Sequence, residues 1–258
     1  MALIKFYLHN TFVLPLHSVY LSHSENRSSI PCNMKSFFIA CLAATSTLAA
    51  PLAVPQFGGF PGFGGGFGGG FGGSTKNDVT SGVCKPVTYI FARGTTELGN
   101  MGSTVGPALE KALESAFGAN NVATQGVTYP ADVAGAISGA LNPGSAQGAR
   151  TMASLTQQAL SKCPDTKVIL AGYSQGAEQV HGALQNLQNG QVAVALTFGD
   201  PLQRMPFRNI DSGRTKIYCN LGDGVCAGAF IISAAHLSYA TQDATPAAQF
   251  AKGVIGNI

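Results

Sequence analysis

The chain has 258 residues, long enough for one sizeable α/β domain plus additional segments. Its formal net charge is only +3, charged residues make up 10% of it and no run of Lys or Arg occurs, which excludes recognition of nucleic acid through a basic face. Of the 33 glycines, many crowd into one stretch, so the chain is uneven in composition.

Residues 1–33 mix an apolar patch (Phe12 to Leu16) with a polar one (Ser22 to Ser29) and read as a leader or an over-long reading frame ahead of a second start at Met34. Residues 34–49 have the form of a secretory signal peptide: Lys35, a short apolar core from Ser36 to Ala44, and an exit rich in small residues from Thr45 to Ala50 before Pro51. The apolar run is too short to span a bilayer, so a secreted, extracellular protein without stable membrane insertion is expected. Residues 50–77 form a propeptide or flexible arm in which Phe recurs between glycines from Phe57 to Gly73. Fixing one backbone conformation costs about 1–2 kcal/mol per residue, and such a tract has little to bury in return. The folded domain is expected over residues 78–258.

Within it, strands and helices alternate. Val87 to Ala92 reads as a strand, Pro107 to Phe117 as a helix, Asn121 to Tyr129 as a strand and Ala146 to Ser161 as a helix. Lys167 to Ala171 is a strand, Gln175 to Leu187 a helix, and Val192 to Phe198 and Thr215 to Cys219 are strands; Gln249 to Ile255 is a terminal helix. This alternation predicts a mainly parallel sheet with helices on both faces and ligands at the carboxyl ends of the strands.

One such end carries Gly172-Tyr173-Ser174-Gln175-Gly176, between an apolar strand and a helix. A serine hydroxyl stands clear of a sheet only if the backbone turns sharply beneath it. Glycines two residues to either side remove the Cβ atoms that would obstruct that turn, the pattern of a nucleophile elbow. The following helix points its N-terminus at the serine, so the N–H of Gln175 is placed to bind a developing oxyanion. In the order Ser, acid, His, the histidines after Ser174 are His181, inside the elbow helix, and His236, beyond the last strand and therefore the better base. Of the intervening acids, Asp223 is preferred over Asp200, because it lies between Cys219 and Cys226, and a bridged loop would fix its carboxylate against an imidazole. Arg93-Gly94-Thr95-Thr96-Glu97, after the first strand, is the source of a second oxyanion donor at Thr95, with Arg93 and Glu97 as solvated or paired charges.

Four of the six cysteines, Cys84, Cys163, Cys219 and Cys226, fall in the domain, and an even count in a secreted chain suggests two disulfides. Three pairings are possible; Cys219 with Cys226 across a short loop and Cys84 with Cys163 across a long one is favoured. No Cys-x-x-Cys or His pair at ligand spacing is present, so neither a metal nor another cofactor is expected.

Phe91 to Glu97, Gly172 to Ala177, Cys219 to Cys226 and Ala235-His236-Leu237-Ser238-Tyr239 together resemble the blocks of fungal cutinases, in the family's order, from about Cys84 to the C-terminus. The resemblance implies a compact, lidless α/β-hydrolase core, a three-layer sandwich around a five-stranded sheet, in a secreted and monomeric serine esterase. It implies Ser174 as nucleophile, His236 as base, Asp223 as orienting acid, Thr95 and Gln175 as the oxyanion hole, and the disulfide pairing favoured above. The apolar residues Phe230, Ile232 and Leu237 beside His236, with Pro130 to Leu141 opposite, suit the acyl chains of a polyester such as cutin, or of short esters. The alternatives are acetylxylan esterase activity on the same fold and a non-catalytic surface-binding protein whose Gly/Phe arm is the working part.

Overall fold

A computed structural model describes residues 74–258; the expected leader, the signal peptide and most of the Gly/Phe arm lie outside the described residues. Ser74 pairs with Gly102 and Asn77 with Gln125 in isolated antiparallel bridges, so the chain is already attached to the domain ahead of the expected start near Asp78.

Five strands form one sheet: β1 (Val87–Ala92), β2 (Val122–Gly126), β3 (Lys167–Tyr173), β4 (Val194–Phe198) and β5 (Thr215–Tyr218). Their order is β2-β1-β3-β4-β5, and every pairing is parallel. The helices are α1 (Val105–Phe117), α2 (Val133–Leu141), α3 (Gln147–Lys162), α4 (Gln175–Gln185), the one-turn α5 (Tyr239–Gln242) and α6 (Ala244–Ile255). Successive strand residues face opposite sides. Tyr89, Phe91, Ile169, Leu196 and Phe198 therefore pack under α1 and α6, while Ile90, Leu170 and Ala195 pack against Met152 of α3 and Val180 and Leu184 of α4. Both faces are covered, which is why the inner strands read as unbroken apolar runs.

The sequence-based boundaries move for local reasons. The α1 and α6 helices begin at Val105 and Ala244, ahead of the expected Pro107 and Gln249, because Pro107 and Pro246 sit in the first turn, where a missing N–H costs no helical bond. Strand β2 ends at Gly126, short of the expected Tyr129, and the last bond of its parallel ladder to β1 is Val127 N–H to Phe91 O (2.8 Å). Residues 133–141, expected only as an apolar rim, form helix α2, whose N-cap Asp132 accepts the Gly135 N–H at 2.6 Å.

The strand order changes direction between β1 and β3: the chain runs outward from β1 to β2, then crosses back to β3 on the other side. Loops leaving the carboxyl ends of β1 and β3 diverge there and open a crevice. Residues 93–97 leave β1 at that point, and Ser174 caps β3.

Candidate active site

Ser174 occupies the turn between β3 and α4 with φ 54° and ψ −119°, a conformation an L-residue adopts only under strain. A Cβ at Gly172 would meet Gly176 O at 2.1 Å, and one at Gly176 would meet Ala92 O at 1.9 Å, so both flanking positions require glycine. The turn is tied to the sheet by Ser174 N–H donating to Phe198 O (2.8 Å). It aims the free N–H groups of the first α4 turn at the space above Ser174.

The β1 loop is held by charges that sequence reasoning left as solvated or paired. Arg93 is buried; its Nε donates to Glu97 O (2.7 Å) and its Nη2 to Tyr129 O (2.8 Å), while the Tyr129 hydroxyl donates to Arg93 O. The Glu97 carboxylate accepts Gly94 N–H (2.7 Å), Ser103 N–H (3.0 Å) and the Thr104 hydroxyl (2.7 Å). Both charges are structural, and together they fix the residues between them. Thr96 takes a positive φ of 64° and donates its N–H to Ala131 O. Thr95 Oγ1 donates to Gln175 Oε1 at 3.0 Å, so the two expected oxyanion residues are in direct contact.

On the other side of Ser174, Asp223 and His236 come together. Asp223 Oδ1 accepts the Val225 N–H (2.9 Å) inside the Cys219–Cys226 loop, and Oδ2 accepts from His236 Nδ1 (2.8 Å) and from the Tyr239 hydroxyl (2.5 Å). With Nδ1–H directed at the carboxylate, Nε2 is the basic nitrogen. The imidazole stacks on Tyr173 (centroids 4.9 Å apart), and the Tyr173 hydroxyl donates to His236 O. Its other support is Gly199, where an added Cβ would lie 2.6 Å from His236 Cε1. Gly199 follows Phe198, whose carbonyl holds Ser174, so the end of β4 brings the serine turn and the histidine ring to one place. Among the described residues no hydrogen bond joins Ser174 Oγ to His236; in free enzymes such bonds are often long and tighten around substrate.

Asp200, the second choice of acid, is committed elsewhere. Its Oδ2 is 2.9 Å from His181 Nε2 and its Oδ1 accepts the Leu202 N–H, with both side chains buried and His181 stacked on Phe207. Nearby Glu178 is 1% exposed, one of its oxygens lacks a partner among the described residues, and burial, reinforced by the charge of Asp200, pushes its pKa up to about 9. Sequence reasoning missed Tyr173, Tyr239, Glu178 and the Arg93–Glu97 clamp. Tyr239 stands three residues after His236, but no spacing signals a contact with Asp223.

Phe230, Ile232 and Leu237 lie exposed on the chain that carries His236, at 67, 58 and 59%. Val133, Ile137 and Leu141 are exposed along α2, whose Gly135 approaches the side chain of Gln175. Both disulfides form as favoured: Cys84–Cys163 and Cys219–Cys226.

An all-parallel sheet between helix layers, with an elbow serine at its crevice, defines the α/β-hydrolase class. Comparison with known proteins narrows this. Residues 83–255 match the protein family described as Cutinase. Cutinase 4 of Emericella nidulans is 51% identical over 187 residues, 71% of this chain and 78% of that protein. The Cutinase of Botryotinia fuckeliana is 44% identical over 176 residues, 67% of this chain and 85% of that protein. A solved structure of Trichoderma reesei cutinase in complex with a C11Y4 phosphonate inhibitor superposes with a TM-score of 0.64 at 38% identity, covering 71% of this chain and 80% of that one. The chain belongs to the cutinase family and is a carboxylic ester hydrolase.

Proposed function

We propose that this protein is a secreted, monomeric serine esterase that hydrolyses the ester bonds of cutin and of short-chain esters through Ser174, His236 and Asp223. The observation that carries the reading is the strained Ser174 elbow beside a buried His236 whose Nδ1 is bonded to Asp223. His236 Nε2 takes the Ser174 proton as Oγ attacks the ester carbonyl. Asp223 holds the ring in the required tautomer and stabilises the imidazolium. The oxyanion receives the Gln175 N–H and the Thr95 hydroxyl, which turns to it from Gln175 Oε1. His236 then protonates the leaving alcohol, and water, activated by the same imidazole, hydrolyses the acyl-enzyme. The exposed apolar residues Phe230, Ile232 and Leu237 on one side and Val133, Ile137 and Leu141 on the other offer an acyl chain an open, greasy seat.

Residues 34–49 direct export in this reading, and two disulfides suit an oxidising, extracellular destination. Residues 50–77 then precede the catalytic domain as a propeptide or arm. N-terminal sequencing of secreted protein is expected to find a start after Ala49; a peptide containing residues before Met34 would overturn this part.

The function itself is tested by hydrolysis of para-nitrophenyl acetate, butyrate and palmitate, and of cutin, with Ser174→Ala alongside. Strong butyrate cleavage, weak palmitate cleavage, release of cutin monomers and loss of roughly 10⁴-fold or more in the variant are expected. Release of acetate from acetylated xylan with no action on butyrate would instead assign acetylxylan esterase activity. No activity on any ester would leave a binding role.

A further inference from the structure

Asp223 Oδ2 is shared by two donors, His236 Nδ1 at 2.8 Å and the Tyr239 hydroxyl at 2.5 Å. The direction of the second bond follows by elimination. The backbone N–H of Asn220 lies 3.0 Å from the Tyr239 oxygen and can only donate to it, which leaves the phenol hydrogen for the carboxylate. Tyr239 is fully buried, and its ring stands edge-on to His236 and against Tyr173 and Phe198. The hydroxyl therefore cannot swing away without displacing the core. The Asn220 side chain adds bonds to Ser238 Oγ and Asp243 Oδ2, both 2.9 Å, which tie the acid's loop to the turn that carries Tyr239.

We infer that Tyr239 is a positioning residue for ester hydrolysis: its hydroxyl locks the Asp223 carboxylate and draws charge from the oxygen that faces His236. The inference rests on the proposed roles of Ser174, His236 and Asp223. With Oδ1 held by Val225 N–H and Oδ2 by Tyr239, the carboxylate has one orientation, and it presents a single oxygen to the imidazole. An oxygen that already accepts a strong hydrogen bond stabilises a facing imidazolium less than a free one does. Burial first, then the bond to Asp223, hold the phenol well above its ordinary pKa, so it remains a donor wherever the enzyme works. The other ionisable groups around this cluster are Tyr173 of β3, Asp243 ahead of α6 and, through its charge on Tyr173, Glu97 of the β1 loop; none of them hydrogen-bonds Asp223 among the described residues.

The test is the pH dependence of para-nitrophenyl butyrate hydrolysis by the full secreted chain. In Tyr239→Phe, kcat is expected to fall roughly ten- to a hundredfold with KM changed by less than about twofold. The acid limb of kcat/KM, which reports protonation of the base, is expected to move to higher pH. Incorporating 3-fluorotyrosine at position 239 keeps the shape and makes a stronger donor, so the same limb should move to lower pH. Ser174→Ala and His236→Gln run beside them: if either retains activity, the underlying assignment of nucleophile and base fails. If both are inactive while Tyr239→Phe keeps the parent kcat and pH profile, the role of Tyr239 alone is overturned. Should Tyr239→Phe fail to fold, the fluorotyrosine protein decides, and an unmoved acid limb rejects the proposal.

Discussion

At the scale of single residues, chemistry here depends on atoms held in orientations they would not choose alone. Ser174 is held at positive φ by two glycines whose neighbours leave no space for a methyl group. Asp223 is held by three donors, so Asp223→Asn should keep the fold yet lose about 10⁴-fold in kcat, because an amide can stabilise the wrong imidazole tautomer; kinetics beside a thermal melt would separate the two effects. Thr95→Val removes a hydroxyl donor while keeping the side-chain shape. It should cost about 10²–10³ in kcat, with Thr95→Ser retaining most of the activity, and an unchanged kcat in the Val variant would assign that side of the oxyanion hole to the backbone alone. The serine turn at Ser174 and the pairing of Asp223 with His236 were legible as candidates, since each residue sits in a short local pattern with few competitors. Tyr239 was not legible, because its partner lies 16 positions away in the chain and only folding brings them together.

At the scale of elements, helix α4 does more than follow the serine. Its Glu178 is buried where Gly139 of α2 crosses, and a Cβ at Gly139 would come within 2.5 Å of Glu178 Oε2. The groups around that carboxyl are Asp200 with its partner His181, and Tyr129 beneath Arg93. The folded protein keeps Glu178 protonated up to about pH 9, whereas an unfolded chain releases the proton near the ordinary 4.5. The folded pKa lies above the unfolded one, so the unfolded chain binds fewer protons between these values and stability falls as pH rises through this window. Glu178→Gln, neutral at every pH, should flatten the decline: the variant should melt higher than the parent near pH 8 and come close to it near pH 4.5. Parallel melting curves across that range would show that Glu178 is ionised in the folded state. Helix α2 was missed because its small residues and glycines give a weak periodicity, although Asp132 three residues before the Gly135 N–H it caps was a readable start signal.

At the scale of the whole molecule, the two disulfides have different tasks. Cys84–Cys163 closes a ring with a sequence separation of 79, and in the chain-entropy model such a ring is worth about 4–5 kcal/mol of stability. Cys219–Cys226 closes a separation of only 7 around Asp223. Replacing the first pair by serines should therefore lower the melting temperature strongly and leave kcat near the parent value in the folded fraction. Replacing the second should lower kcat more than it lowers the melting temperature. Equal effects of both pairs on kcat would mean that the short loop does not set the acid's position.

The alternation of strands and helices, the elbow glycines, the order of Ser, acid and His, and the even cysteine count were determined by the sequence alone. Each follows from local sterics, from hydrophobic period or from a spacing short enough for neighbouring residues to meet. Four decisions belonged to the tertiary structure: that Asp200 pairs with His181, that Arg93 and Glu97 brace the loop after β1, that Glu178 is buried with one oxygen lacking a partner among the described residues, and that Tyr239 reaches Asp223. Each depends on polar residues distant in sequence: His181 and Asp200 stand 19 positions apart, Tyr239 and Asp223 16, Arg93 and Tyr129 36, and Glu178 lies against Gly139 of α2. Burial compels such groups to find partners, but which partner each one finds depends on how the sheet, helices and loops close around it.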